Sequence, residues 1–188
     1  MSRPLNVLLA GNPNVGKSTV FNTLTGMHQH TGNWTGKTVA LARGSYTYKG
    51  RDYELTDLPG TYSLDAQSQE EQVARDALLQ GDFDCLVVVC DATCLERNLI
   101  LTYQILRHIR KVVVLVNLMD EAERRGIEVD CEALERCLGV PVVAGSAGRG
   151  IGMDALREQV RMVAEDYCRP RPVFVPESRQ DRTRLAQE

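Results

Sequence analysis

The chain has 188 residues, a net charge of −3 at pH 7 and an apolar content of 43%. This length suits one domain with a sizeable core and is too short for two comfortable ones. The acidic balance gives no long-range attraction to nucleic acid or anionic lipid, and no apolar run reaches the roughly 20 residues that a membrane-spanning helix needs.

Apolar strand-like runs alternate with helix-like stretches, which predicts an α/β fold with a mostly parallel sheet of six strands and helices on both faces. The predicted strands are Leu5–Ala10, Thr38–Tyr48, Asp52–Thr56, Cys85–Asp91, Val112–Asn117 and Val140–Ala144. The predicted helices are Lys17–Leu24, Gln69–Leu79, Glu96–His108, Cys131–Leu138 and Met153–Tyr167, with Asp130 as the N-cap of the fourth. The second and third strands form a predicted hairpin at the sheet edge.

The segment Gly11–Ser18 matches G-x-x-x-x-G-K-[ST], the phosphate-binding loop of nucleoside triphosphatases. It follows a predicted strand and opens a predicted helix, a context that makes a chance match in a glycine-rich turn a poor explanation. Backbone N–H groups of such a loop point at phosphates, while Lys17 adds a positive charge and the Ser18 hydroxyl can bind Mg²⁺. The residues expected at the phosphates are Gly11, Asn12, Pro13, Asn14, Val15, Gly16, Lys17, Ser18 and Thr19.

A second motif, Asp57-Leu58-Pro59-Gly60, comes directly after the third predicted strand. Asp57 at a strand end beside the phosphate loop can hold Mg²⁺ through a water, and the N–H of Gly60 can reach a γ-phosphate. D-x-x-G alone is a weak signal, because Asp, Pro and Gly also make ordinary turns. Its position between a hairpin and a helix favours the phosphate interpretation.

Two further segments follow the last two predicted strands and predict a guanine site. Asp120, in Asn117-Leu118-Met119-Asp120, can accept two hydrogen bonds from guanine, which adenine cannot supply, so GTP is favoured over ATP and an ATP-dependent kinase is disfavoured. The common form of this motif has lysine at the position of Leu118, so we expect weaker nucleotide binding. In Ser146-Ala147-Gly148, the N–H near Ala147 is expected to bond the guanine O6.

Three features lie outside these motifs. Residues 27–37 form a predicted loop without periodicity, of the kind that is usually functional or mobile. His28 and His30 in this loop make a poor iron site, because no cysteine or spaced carboxylate accompanies them. The six cysteines show no metal-type spacing and Ser2 to Pro4 lead straight into the first strand, so we expect free thiols and a soluble cytoplasmic chain.

Five segments extend beyond the general nucleotide motifs: Gly11–Asn14, Phe21–Gly26, Gly32–Val39, Asp57–Leu64 and Asp91–Leu99. In these segments the chain resembles the N-terminal G domain of FeoB-type ferrous iron transporters. The resemblance covers roughly residues 3–167 and implies a Ras-like P-loop GTPase fold with three layers. It divides the chain into a G domain, 1–168, and a linker or the start of a helical domain, 169–188.

The resemblance also assigns site residues. It implies that Thr38 completes a Mg²⁺ shell with Ser18 and Asp57. A separate hypothesis is that K⁺ is held by Asn14, as in related GTPases with G-x-x-N-x-G-K-[ST], with carbonyls of Gly32 and Trp34 as further ligands. The alternatives are that Asn14 only shapes the phosphate loop and that Trp34 only fixes its own loop by apolar packing. The loop residues expected at the nucleotide are Gly32, Trp34, Thr35, Gly36, Lys37 and Thr38. The expected catalytic residues are Asn14, Lys17, Thr38, Gly60 and Thr61. Glu96 and Arg97 are expected to form charge pairs on a helix surface.

The expected activity is slow GTP hydrolysis, on the order of 10⁻⁴ to 10⁻² per second, because Thr61 stands where Ras-type enzymes have a water-orienting Gln. The resemblance implies a domain at the cytoplasmic face of the inner membrane that regulates or gates iron transport. Its implied partners are guanine nucleotide and the helical and membrane portions of the same polypeptide, with a second copy as a candidate and nucleic acid excluded. Two alternatives stay open: an RNA-modifying or ribosome-assembly GTPase, and a binding module that does not hydrolyse GTP.

Overall fold

A computed structural model describes residues 3–26, 29–33 and 39–173 of the chain. The strands are β1 (Leu5–Gly11), β2 (Gln29–Asn33), β3 (Ala40–Tyr48), β4 (Arg51–Asp57), β5 (Cys85–Asp91), β6 (Val112–Asn117) and β7 (Val142–Ala144). The helices are α1 (Lys17–Thr25), α2 (Gln69–Gln80), α3 (Leu95–Leu106), α4 (Met119–Arg124), α5 (Cys131–Leu138) and α6 (Met153–Ala164). Short 3₁₀ turns cover Ala92–Cys94 and Ala147–Arg149.

The strands form one sheet in the order β2-β3-β4-β1-β5-β6-β7. The pairs from β4 to β7 are parallel, whereas β2–β3 and β3–β4 are antiparallel. The mostly parallel sheet is therefore confirmed, but the count of six strands and the edge position of the hairpin are wrong. The extra edge strand is β2, which lies within the predicted loop 27–37 and pairs from Gln29 opposite Gly44 to Asn33 opposite Ala40.

Helices cover both faces of the sheet, which confirms the three-layer α/β fold. On one face, Leu8, Val88 and Val114 pack with buried residues of α2, α3 and α5, among them Val73, Leu101, Ile105 and Leu138. On the other face, Val7, Val87 and Val113 pack with Phe21 and Leu24 of α1 and with Leu156 and Val160 of α6. Every residue of β6 is buried, as its continuous apolar run predicts for a central parallel strand.

The helix predictions are confirmed for five elements, and α4 was not predicted. Asp130 caps α5 as expected, because its Oδ1 accepts a hydrogen bond of 2.8 Å from the N–H of Ala133. The last helix ends at Ala164, three residues before the predicted end. None of the helices within the described ranges is long and apolar enough to cross a membrane.

After α6 the chain returns to the end of α5. The N–H of Arg171 donates to the Gly139 carbonyl at 2.9 Å, and that of Val173 donates to the Leu138 carbonyl at 3.0 Å. The first residues of the predicted linker, 169–173, are thus fixed against the body of the domain, while 174–188 lie outside the described residues. The division at residue 168 stays a prediction.

Candidate nucleotide-binding site

The segment Gly11–Ser18 joins the end of β1 to the start of α1 and curls around a cavity of about 360 Å³. Gly16 has a φ of +81°, and a Cβ at this position would lie 2.5 Å from Nδ2 of the Asn117 side chain. Only glycine fits there, because both the backbone conformation and the close approach exclude a side chain. The residues lining the cavity are Asn12, Pro13, Asn14, Gly16, Lys17, Ser18, Thr19 and Gly60.

Lys17 and Ser18 line this cavity, and Asp57 contacts both of them. The Lys17 ammonium forms an ion pair with the Asp57 carboxylate and also donates to the Leu58 carbonyl. Both charged side chains are largely buried, with 10% and 12% of their area exposed. The Ser18 hydroxyl donates to the other Asp57 oxygen at 3.3 Å. The structure thus brings together the ammonium, hydroxyl and carboxylate that the two phosphate motifs predict.

Gly60 and Thr61 lie directly against the phosphate loop. A Cβ on Gly60 would come within 3.0 Å of the Pro13 backbone, so the two chains are in contact there. The N–H of Thr61 donates to the Gly11 carbonyl at 3.1 Å, and its hydroxyl donates to the Ser63 carbonyl at 2.7 Å. Thr61 is 2% exposed, and both of its donors are already used inside the protein. Its catalytic role stays a prediction, and this arrangement leaves it no donor for an attacking water.

Asn117, at the end of β6, connects the phosphate loop to the segment Ser146–Gly148. Its side chain is buried, donates to the Val15 carbonyl at 3.0 Å and accepts from the Ala147 N–H at 2.9 Å. This bridge fixes the relative position of the two loops. It also engages the Ala147 N–H that was expected to bond the guanine O6, so that contact stays a prediction.

Asp120 lies beside this bridge, in the first turn of α4. Its N–H donates to the Ser146 hydroxyl at 3.0 Å. Hydrogen bonding with Ser146 is the main cause that holds the pKa of Asp120 below its ordinary value, so the carboxylate is ionised at neutral pH. An ionised acceptor fixed by a neighbouring loop suits the two adjacent donors of guanine. The preceding Leu118 has a φ of +63°, which is uncommon for a residue other than glycine.

The predicted switch loop is described only in part. Gly32 lies in β2 opposite Leu41 of β3. Trp34, Thr35, Gly36, Lys37 and Thr38 lie outside the described residues, as does His28. Their predicted contacts with nucleotide, Mg²⁺ and K⁺ therefore stay predictions.

Sequence reasoning did not predict two contacts between the Gly60 region and α3. The guanidinium of Arg97, expected in surface charge pairs, lies 5.2 Å from the centre of the Tyr62 ring. The side chain of Gln104 accepts a hydrogen bond of 2.8 Å from the Leu64 N–H. Motif spacing carries no signal for either contact, since the partners are 35 and 40 residues apart and meet only in the folded chain.

A family model described as "Ferrous iron transport protein B" matches residues 5–160. The chain belongs to this family. The Fe(2+) transporter FeoB of Legionella pneumophila (strain Lens) is 45% identical over 159 residues, which cover 82% of this chain and 21% of the relative. The chain therefore spans about a fifth of the length of the curated relatives it matches.

Solved structures of FeoB proteins share this fold. The G domain of the T. maritima FeoB iron transporter is 42% identical with a TM-score of 0.81, covering 86% of this chain and 99% of that chain. The cytosolic domain of T. maritima FeoB in a GDP form is 39% identical with a TM-score of 0.89, covering 95% of this chain and 70% of that chain. The predicted P-loop GTPase fold is thereby confirmed, and the chain is a G domain of the FeoB family.

Proposed function

We propose that this domain binds GTP and GDP, hydrolyses GTP slowly and acts as the nucleotide-dependent switch of a ferrous iron transporter. The observation that carries the proposal is the Asn117 bridge. It joins the phosphate loop, where Lys17 and Ser18 lie, to the loop that positions Asp120. One site then offers cationic and N–H groups to phosphates and an ionised carboxylate to guanine. The T. maritima relative solved in a GDP form supports the choice of nucleotide.

The donor set at the phosphate loop fits Mg²⁺. The Ser18 hydroxyl and the Asp57 carboxylate lie within 3.3 Å of each other, and hard oxygen donors are the ligands that Mg²⁺ prefers. Mg²⁺ would be held by Ser18 and, directly or through water, by Asp57, with Thr38 as a further proposed ligand. When bound it would neutralise charge on the β- and γ-phosphates.

Slow hydrolysis follows from the residues around Gly60. No glutamine follows Gly60, and Thr61 has both donors engaged with Gly11 and Ser63. Asn14 lines the cavity with a φ of +65°. We propose that its side-chain oxygen binds K⁺ beside the phosphates, with Gly32 and Trp34 as further ligands, and that this cation supplies the charge that an arginine supplies in other GTPases.

Nucleotide titration tests the binding site. We expect Lys17→Glu to lose most affinity for GTP and GDP, because the carboxylate repels the phosphates that the ammonium attracts. Arg110→Glu, the same charge reversal at an exposed residue after α3, is the matched control. A folded Lys17→Glu variant that binds GTP as tightly as the parent would contradict the proposed site.

Phosphate release tests the activity. With GTP and Mg²⁺, we expect multiple turnovers that are faster in KCl than in NaCl, and we expect Asn14→Ala to remove the difference while leaving the NaCl rate in place. Equal rates in the two salts would exclude the K⁺ role. Binding without any turnover in either salt would instead support the non-hydrolysing module.

The role in iron transport is proposed for a longer polypeptide. The relatives are named Fe(2+) transporters, and this chain spans 21% of the first of them. We propose that the domain lies on the cytoplasmic face of the inner membrane and regulates iron movement through the remainder of the same polypeptide. In proteoliposomes of the full-length protein, Asp120→Asn should make Fe²⁺ flux respond to xanthosine triphosphate in place of GTP. Flux that ignores the nucleotide in both proteins would refute the regulatory role.

A further inference from the structure

The residues Thr61–Asp65, which we call the Thr61 segment, lie on α3 through two side chains of that helix. Arg97 stacks over the ring of Tyr62, which is 47% exposed, and Gln104 accepts from the Leu64 N–H at 2.8 Å. The two contacts are made at Tyr62 and at Leu64. They hold the Thr61 segment, which begins directly after Gly60, against α3.

Helix α3 is a fixed support for these contacts. Asn98 is 1% exposed, accepts from the Asp91 N–H at 3.2 Å and donates to the Cys94 carbonyl at 2.9 Å. The start of the helix is thereby tied to the end of β5. Displacement of the Thr61 segment alone would therefore break its contacts with Arg97 and Gln104, because α3 is anchored separately to β5.

The position of the Thr61 segment matters for the triphosphate and not for the diphosphate. Gly60 packs against Pro13 at the cavity, and Thr61 donates to the Gly11 carbonyl. In the proposed site a γ-phosphate would lie between Lys17 and Gly60, both of which line the cavity. Binding of GTP would then have to displace Gly60 from Pro13, whereas GDP carries no phosphate that reaches this side. A contact that holds the segment in place therefore acts on the affinity for GTP alone.

We propose that Arg97 and Gln104 are positioning residues that hold the Thr61 segment on α3 and thereby lower the affinity of the domain for GTP relative to its affinity for GDP. This inference rests on the proposed guanine-nucleotide function. Neither residue contacts the cavity. Both act through the segment that follows Gly60.

The test is the ratio of affinities for a non-hydrolysable GTP analogue and for GDP, measured by fluorescence titration. Arg97→Ala should raise the relative affinity for the analogue about two- to fivefold, the factor that corresponds to an exposed cation–π contact. Tyr62→Ala should have the same effect, and the double variant should show no additional gain, since both changes remove one contact. Arg97→Lys and Tyr62→Phe keep a cation and a ring, and should retain the parent ratio.

The controls separate this inference from the proposed function. Arg110→Ala removes an exposed arginine just after α3 and should leave the ratio unchanged. GDP affinity should be the same in all variants, because the phosphate and guanine loops are untouched. If the parent binds both nucleotides and Arg97→Ala leaves the ratio unchanged or shifts it toward GDP, the positioning role is refuted while the proposed function stands. If the parent binds neither nucleotide, the function itself fails.

Discussion

Asp120, in the first turn of α4, is held by hydrogen bonding with Ser146, and in the proposed function its carboxylate selects the base. We expect Asp120→Asn to weaken GTP binding by about a hundredfold or more and to favour xanthine nucleotides, because an amide can donate where the carboxylate accepted. Competitive titration with GTP and xanthosine triphosphate measures this change in base preference. Glu123→Gln, on the same helix, is the control, and unchanged GTP affinity in Asp120→Asn would refute the guanine assignment.

Leu118 occupies a position that commonly carries lysine, and the structure shows where its side chain packs. Its Cδ2 lies 3.9 Å from the point that a Cβ on Gly16 would occupy, so the leucine covers the back of the phosphate loop. We expect Leu118→Lys to tighten GDP and GTP binding several-fold, because a longer stem covers more of the base. Leu118→Met, which adds no charge and little reach, should leave the affinity close to that of the parent in the same titration.

Thr61 shows the limit of sequence reasoning at the scale of one residue. Its place after Gly60 excludes a glutamine-like role, and that much is visible in the sequence. Its engagement with the carbonyls of Gly11 and Ser63 is not visible, because it depends on how the chain turns after Gly60. The same holds for Arg97, whose ring contact depends on the approach of two distant segments.

At the scale of elements, strands with a continuous apolar run were predictable from the sequence. Strand β2, which is defined only by its pairing with β3, was not. The runs of β5 and β6 are apolar throughout, and burial on both faces leaves little freedom in their placement. The sequence of β2, Gln29–Asn33, has neither alternation nor β-branched residues beyond Thr31. It is a strand because β3 offers its open edge, and an edge strand can form with polar residues.

Helix α5 depends on a cap that the sequence does reveal. The Asp130 carboxylate accepts from the Ala133 N–H, and without it the first turn loses one hydrogen bond. We expect Asp130→Ala to lower the free energy of unfolding by about 1 kcal/mol, measured by urea denaturation. Asp130→Asn retains an acceptor and should cost less than half of this. Equal losses in the two variants would mean that charge near the helix start, rather than the cap, is what matters.

At the scale of the whole molecule, Glu158 of α6 links the helix to the β3–β4 turn. It binds Arg161 of its own helix and Lys49 of the turn, each at 2.8 Å. The hydrogen bond with Arg161 contributes most and that with Lys49 comes next, and the pKa of Glu158 is lowered to about 2. Since the pKa is lower in the folded state, the stabilisation is full above the ordinary value of about 4.3 and is lost as the pH falls toward 2.

Glu158→Gln should therefore be less stable than the parent at pH 7, and the difference should shrink below about pH 4.3 and vanish near pH 2. Thermal unfolding of both proteins across this range measures it. Glu128→Gln, at an exposed residue outside the helices, should follow the parent at every pH. A difference for Glu158→Gln that is independent of pH would show that packing, not ionisation, is responsible.

The candidate site was predictable to the extent that it is made of local motifs. Each of Gly11–Ser18, Asp57–Gly60, Asn117–Asp120 and Ser146–Gly148 lies within or directly after a strand that the sequence predicts. Parallel strands bring their carboxyl ends to one edge, so the motifs had to meet there. The Asn117 bridge could not be predicted, because it joins two loops through one side-chain amide whose orientation only the fold determines.

The ion pair between Lys17 and Asp57 gives the ammonium a counter-charge that belongs to the protein itself. When no phosphate is bound, the Lys17 ammonium pairs with this carboxylate, so the largely buried side chain does not carry an unpaired charge. In the proposed function, release of the nucleotide would therefore replace one anionic partner of Lys17 by another.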